Sequence, residues 1–125
     1  MEIFELKRED YAAIDVCMQE LHTLHVEARP DIYATLEHPY SEQEFSEIVE
    51  DGRHIALAVK DENNCIMGFG VATLKGKSGM VDGLKTAYVD DIFVCKEYRR
   101  QGIAKKIFEQ LLCLNFYLLI VWFWV

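Results

Sequence analysis

The chain has 125 residues, 51% apolar and 27% charged, with 13 basic and 21 acidic side chains for a net charge of −8. That length fits a single domain over residues 1–125, and that apolar share supports a packed core rather than a disordered tail. The acidic balance argues against nucleic acid and against an anionic membrane surface as partners, since both call for a basic face.

Four cysteines (Cys17, Cys65, Cys95, Cys113) lie far apart without a CxxC pair, and no signal segment opens the chain. A reducing, cytoplasmic setting with free thiols is therefore expected. Charge is uneven along the sequence. Residues 1–51 hold 14 acids and 3 bases, whereas residues 96–106 hold 5 bases and one acid. A basic island in an acidic chain points to an anionic ligand there and leaves the remainder tolerant of a cationic one.

In chain order, Glu2 to Leu6 reads as a short strand. Glu9 to about Ala28 carries apolar residues mostly at helical spacing, and Arg29-Pro30 stops that helix. Ser41 and Glu44 form a Ser-x-x-Glu capping box for a helix to about Glu50. Ile55–Val59 and Cys65–Leu74 read as strands joined by a turn at Asp61–Asn64, a hairpin. Lys75–Lys85, with three glycines, reads as a mobile loop. Thr86–Cys95 is a further strand and Gly102 to about Leu114 a helix. Phe116–Val125 is uncharged and rich in aromatic and β-branched residues. It is too short to span a bilayer as a helix and reads as a buried strand. Alternation puts Trp122 and Trp124 on one face of it. A buried strand at the very end of a chain calls for further cover, so the domain is expected to be short at its C-terminal end.

The chemistry-bearing stretch is Tyr88-Val-Asp-Asp-Ile-Phe-Val-Cys-Lys-Glu-Tyr-Arg-Arg-Gln-Gly-Ile-Ala104. A strand feeds a short loop, and Gly102 opens a helix. Unpaired N–H groups in a first helical turn, with the helix dipole behind them, attract anions. Gly102 admits backbone close to a phosphate, Ala104 avoids crowding it, and Lys96, Arg99, Arg100 and Lys105 add positive field. A pyrophosphate suits such a loop. Neither a P-loop nor a GxGxxG dinucleotide fingerprint is present.

The Arg99-Arg100-Gln101-Gly102-Ile103-Ala104 stretch resembles the coenzyme A pyrophosphate loop of the GNAT superfamily of acyl-CoA-dependent N-acetyltransferases. Asp90-Asp91-Ile92-Phe93-Val94 is similar to that family's central strand, and the order of elements also resembles it. The resemblance implies an α+β fold, a mixed and mostly antiparallel sheet flanked by helices, with the family's C-terminal helix and strands missing. It implies acetyl-CoA as co-substrate and N-acetylation of a small primary amine, by direct attack through a tetrahedral intermediate. In that reading Arg99 through Lys105 hold the pyrophosphate. Ile92, Phe93 and Val94 pair with the pantetheine arm, and an amide near Val94 polarises the thioester carbonyl. The general acid that the resemblance draws from a later helix is left unassigned.

Asp90 and Asp91 are the candidate acids. Alternation places Asp90 on the face of Tyr88, Ile92 and Val94, and Asp91 on the other. The pair resembles the Glu-Asp of spermidine/spermine acetyltransferases, which implies Asp90 as a base acting through water and Asp91 as a contact for a cationic substrate. A free aspartate, with a pKa of about 3.9, is a poor base unless burial or a twin carboxylate raises it. The bland alternative is that both acids pair with bases or cap loop amides.

Other residues carry weaker signals. His22 and His25 stand at i, i+3, but no third ligand accompanies them, so no metal site is expected. Cys95 lacks a histidine neighbour and reads as packing. Gly68-Phe69-Gly70 reads either as a bend near a ligand or as a bulge without chemistry. Tyr33, Tyr40 and His25 flank the loop that borders the acceptor site in the resembling family. A non-catalytic acyl-CoA-binding module is the alternative to an enzyme, and a membrane-associated adaptor a third class. A bare sheet edge favours a homodimer.

Overall fold

The computed structural model describes residues 2–75, 86–113 and 117–120. β1 (Glu2–Glu5) leads through a 3-10 turn at Arg8–Asp10 into α1 (Tyr11–Ala28) and then α2 (Glu42–Glu50). β2 (His54–Lys60), β3 (Ile66–Lys75) and β4 (Thr86–Val94) follow, then a 3-10 turn at Lys96–Tyr98, α3 (Ile103–Cys113) and β5 (Tyr117–Ile120). The glycine-rich loop expected up to Lys85 lies, from residue 76 on, outside the described residues. So do Phe116, Trp122, Trp124 and the rest of the terminal segment beyond Ile120.

Local chemistry sets the boundaries. The Ser41 hydroxyl accepts from the Glu44 amide at 3.1 Å while the Glu44 carboxylate accepts from the Ser41 amide at 3.4 Å, the reciprocal cap the sequence predicts. Arg29 closes α1 and grips Asp31 through two bonds of 2.9 and 2.7 Å as the chain turns at Pro30. Asp61 shapes the β2–β3 turn by accepting from the amides of Asn63 and Cys65. Asn64 takes the left-handed conformation there, which asparagine tolerates.

The sheet runs β1-β2-β3-β4-β5. Its first four strands are antiparallel and β5 lies parallel to β4. Period-2 alternation splits the core into two layers. On one face Ala56, Ala58, Phe69 and Phe93 meet Ile14, Leu21 and Phe45 from α1 and α2. On the other, Leu57, Val59, Ile92 and Val94 meet Ile103, Ile107 and Leu111 from α3. Each fully buried Val, Leu, Ile or Phe among them contributes about 1.5–3 kcal/mol. Gly68 and Gly70 serve this second layer. A Cβ on Gly68 would meet the Phe93 carbonyl oxygen at 2.7 Å, and one on Gly70 would meet Ile107 Cγ2 at 2.8 Å. The two glycines let α3 settle on β3.

One irregularity matters for the site. Val71 pairs with Asp91 and Ala72 with Val89, so Asp90 is the extra residue of a β-bulge. The expected alternation fails at this point. Val89, three residues before Ile92, shares the α3 face with it. Asp90 therefore leaves the face of Ile92 and Val94. It bonds Thr73, which by alternation from Val71 lies on the α1/α2 side. Asp91 turns to that same side, toward Tyr40.

Candidate active site

The anion loop is built from contiguous residues. The Cys95 amide donates to the Met67 carbonyl at 2.9 Å and ends the β3–β4 ladder. By alternation the N–H groups of Ile92 and Val94 then point away from β3, toward the other edge of β4. The described part of β5 covers that edge only along Thr86–Val89. Beyond it, Ile92 and Val94 offer their N–H groups at an edge free of any described strand.

After the 3-10 turn the chain enters the left-handed region twice, at Arg100 (φ 65°) and at Gly102 (φ 79°). The Lys106 amide makes the first bond of α3, to the Gly102 carbonyl at 3.0 Å. The amides of Ile103, Ala104 and Lys105 precede that bond, so they form the donor-rich first turn that attracts anions. Together Val94, Arg99, Arg100, Gly102, Ile103, Ala104 and Lys105 line a cavity of about 450 Å³. Every one of these residues belongs to the set expected from the sequence. Arg99 has a second role that the motif does not show. Its Nε donates to the Val94 carbonyl at 3.0 Å, its guanidinium lies 5.6 Å over the Phe93 ring, and its end pairs with Glu20 at 3.8 Å. It braces the loop against the strand and α1.

On the α1/α2 side of β4 the residues come from five segments. The Tyr40 hydroxyl donates to Asp91 at 2.5 Å, and the Tyr40 carbonyl accepts from the Tyr11 hydroxyl at 2.9 Å. Burial pushes the Asp91 carboxyl up to about 6, against the pull of the Tyr40 hydroxyl and with Asp90 adding to the rise. The Tyr40 hydroxyl is itself driven above its ordinary range by burial and by Asp91. Asp90, exposed, accepts from the Thr73 hydroxyl, whose oxygen also lies 3.2 Å from His54 Nδ1. The loop carrying Tyr40 is held by His38, whose Nδ1 lies 2.8 Å from a carboxylate oxygen of the buried Asp15.

His22 and His25 meet edge to face, their ring centroids 6.4 Å apart. His22 Nε2 donates to the Ala34 carbonyl at 2.6 Å, and the His25 ring stacks on Tyr33 at 4.9 Å. Both histidines fasten the loop after α1. Of the three expected loop residues, Tyr40 reaches a candidate acid. Cys95 is buried against Cys17, as a packing role requires. Sequence reasoning missed Thr73, His54 and Glu20. No motif marks them, and their roles follow from strand register and from the position of α1.

Known proteins share this architecture. Residues 18–114 match the family model described as the acetyltransferase (GNAT) family. No curated protein matches the sequence. A variant of the BH1408 protein from Bacillus halodurans superposes with a TM-score of 0.89 at 24% identity, over 98% of this chain and 83% of that one. An aminoglycoside acetyltransferase from an uncultured soil metagenomic sample, solved with sisomicin, gives 0.68 at 15% identity, over 98% and 77%. Glucosamine-6-phosphate N-acetyltransferase from Arabidopsis thaliana gives 0.69 at 19% identity, over 98% and 82%. At such identities the likeness speaks for the fold alone.

Proposed function

This chain belongs to the GNAT acetyltransferase family, and we propose that it transfers an acetyl group from acetyl-CoA to a small, cationic primary amine. The observation that carries this reading is the 450 Å³ cavity at the start of α3, beside the edge of β4 on which Ile92 and Val94 point outward. First-turn amides and the basic side chains of Arg100 and Lys105 suit a pyrophosphate, and an extended backbone edge suits an amide-bearing arm. Acetyl-CoA, when bound, supplies the acetyl group already activated as a thioester.

The chain's own residues divide the remaining work. The Val94 N–H faces the place where a carbonyl oxygen would need a donor. Asp91 takes the proton that an incoming ammonium must lose. It stands three residues from Val94, about 10 Å along the strand, so the proton travels through a short chain of waters. A carboxyl near 6 is better matched to this task than a solvated aspartate, and it is still mostly ionised above neutral pH. Asp90, exposed beside it, adds the negative charge that draws a cationic amine. Asp91 thus takes the base role that the family resemblance alone assigns to Asp90.

Calorimetric titration of acetyl-CoA into the wild type and into Gly102→Glu tests the cavity. Saturable binding is expected in the first and none in the second. An amine panel with detection of released thiol tests the chemistry. Binding without turnover on any amine would leave an acyl-CoA-binding module. Absence of binding to a folded wild type would remove the reading altogether.

A further inference from the structure

Two cysteines separated by 78 positions meet inside the protein. Cys17 on α1 and Cys95 at the end of β4 are 6% and 7% exposed, with their sulfurs 3.5 Å apart. Cys65 is exposed and not part of this pair. The Cys95 backbone is pinned by its bond to Met67, and its sulfur lies 3.6 Å from the Ile66 carbonyl. The pair adjoins the lining of the proposed coenzyme cavity through Val94. Cys95 follows Val94 in sequence. Glu20, one turn after Cys17, pairs with the Arg99 that holds the Val94 carbonyl.

We propose that Cys17 and Cys95 form an oxidisable pair, and that its closure to a disulfide ties α1 to the start of the anion loop. The sulfurs need only move from 3.5 Å to about 2.05 Å, a step that a small shift of α1 supplies. The two thiols are also unequal. Donation by the Cys17 thiol holds Cys95 below the usual thiol range and raises Cys17 itself. Cys95 is therefore the sulfur that reacts first. Its thiolate attacks hydrogen peroxide: an S–O bond forms, the O–O bond breaks and hydroxide leaves, which takes up the proton the Cys95 thiol has lost. Cys17 then displaces the new hydroxyl. The S–S bond forms, the S–O bond breaks, and the Cys17 proton leaves with that hydroxyl as water. With hydrogen peroxide the sum is two thiols and one peroxide giving one disulfide and two waters.

The test uses the full chain, reduced and then exposed to hydrogen peroxide in native buffer. Remaining thiols are alkylated after denaturation, and the peptides are mapped by mass. The expected product is a linked pair of Cys17 and Cys95 peptides, lighter by two hydrogens and separated again by dithiothreitol. The oxidised chain is also expected to unfold several degrees above the reduced one, because the link closes a long loop of the unfolded chain. Full alkylation of both cysteines after oxidation, or a link to Cys65 or Cys113 instead, would overturn the pairing. A linked form that unfolds at or below the reduced midpoint would overturn the tie between α1 and the loop. Both readouts compare one chain with itself, require no variant to fold, and are independent of coenzyme binding.

Discussion

β4 carries two candidate sites built in opposite ways. At its end, residues 94–105 form the anion cavity from one unbroken stretch of chain, largely out of backbone. One turn of sequence earlier, Asp91 and Asp90 sit among side chains from α1, the loop before α2, β2 and β3. The first site tolerates change in most side chains, because its donors are amides. The second depends on single side chains whose ionisation is set by neighbours far away in sequence. Binding and chemistry should therefore fail separately when each site is damaged.

The largest expected effect is on the side-chain site. Asp91→Asn should lower kcat/KM by about 10²- to 10⁴-fold, the usual contribution of a general base. Acetyl-CoA affinity by calorimetry should stay close to that of the wild type. The same substitution has a stability signature. The folded carboxyl is raised to about 6 from an unfolded value of about 3.9, so the fold binds more protons than the unfolded chain between those values. The contribution of Asp91 to stability is thus greatest below that window and declines as pH rises through it, by at most about 3 kcal/mol. Urea melts at pH 4 and pH 7 should show this slope in the wild type and lose it in Asp91→Asn.

The matching change at the backbone site is Gly102→Glu. A left-handed non-glycine residue costs about 1–2 kcal/mol, and the new carboxylate stands where an anion is expected. Coenzyme binding should drop by more than about 100-fold on those two terms together. If Gly102→Glu instead spared binding and impaired only turnover, the division between the sites would be wrong.

Packing under the strand gives the next effect. Gly68→Ala and Gly70→Ala should each destabilise by about 1–3 kcal/mol, as overpacking does. Gly68→Ala should be the worse, because its obstacle is the Phe93 backbone rather than the tip of Ile107. Thermal melts of the two variants side by side decide the order.

The smallest effect is the most diagnostic. Tyr40→Phe removes the hydroxyl that holds Asp91 down. The ascending limb of the kcat/KM profile, expected near pH 6, should move up by about one unit. An unmoved limb would mean that another group governs the rate.

The fold was legible because its signals are local. The Ser41–Glu44 cap, the Asp61 turn and the hairpin spacing each act over a few residues, and the strands and helices from β1 to α3 end within a residue or two of where they point. The anion loop was legible for the same reason. The bulge at Asp90 was not, because an extra residue in one strand shows only against its partner. Strict alternation therefore put Asp90 and Asp91 on opposite faces, where register puts them together. Tyr40 stood out only as a loop aromatic. Its bond to a residue 51 positions away is invisible along the chain.

By itself, then, the sequence determined the elements, the donor-rich start of α3 and the pair of acids on β4, since each rests on neighbours within a turn or a strand. Tertiary structure alone decided which acid is buried, which cysteines meet and what Arg99 holds. Burial and hydrogen bonding set a carboxyl's ionisation, and both depend on packing between segments that the order of residues does not bring into view.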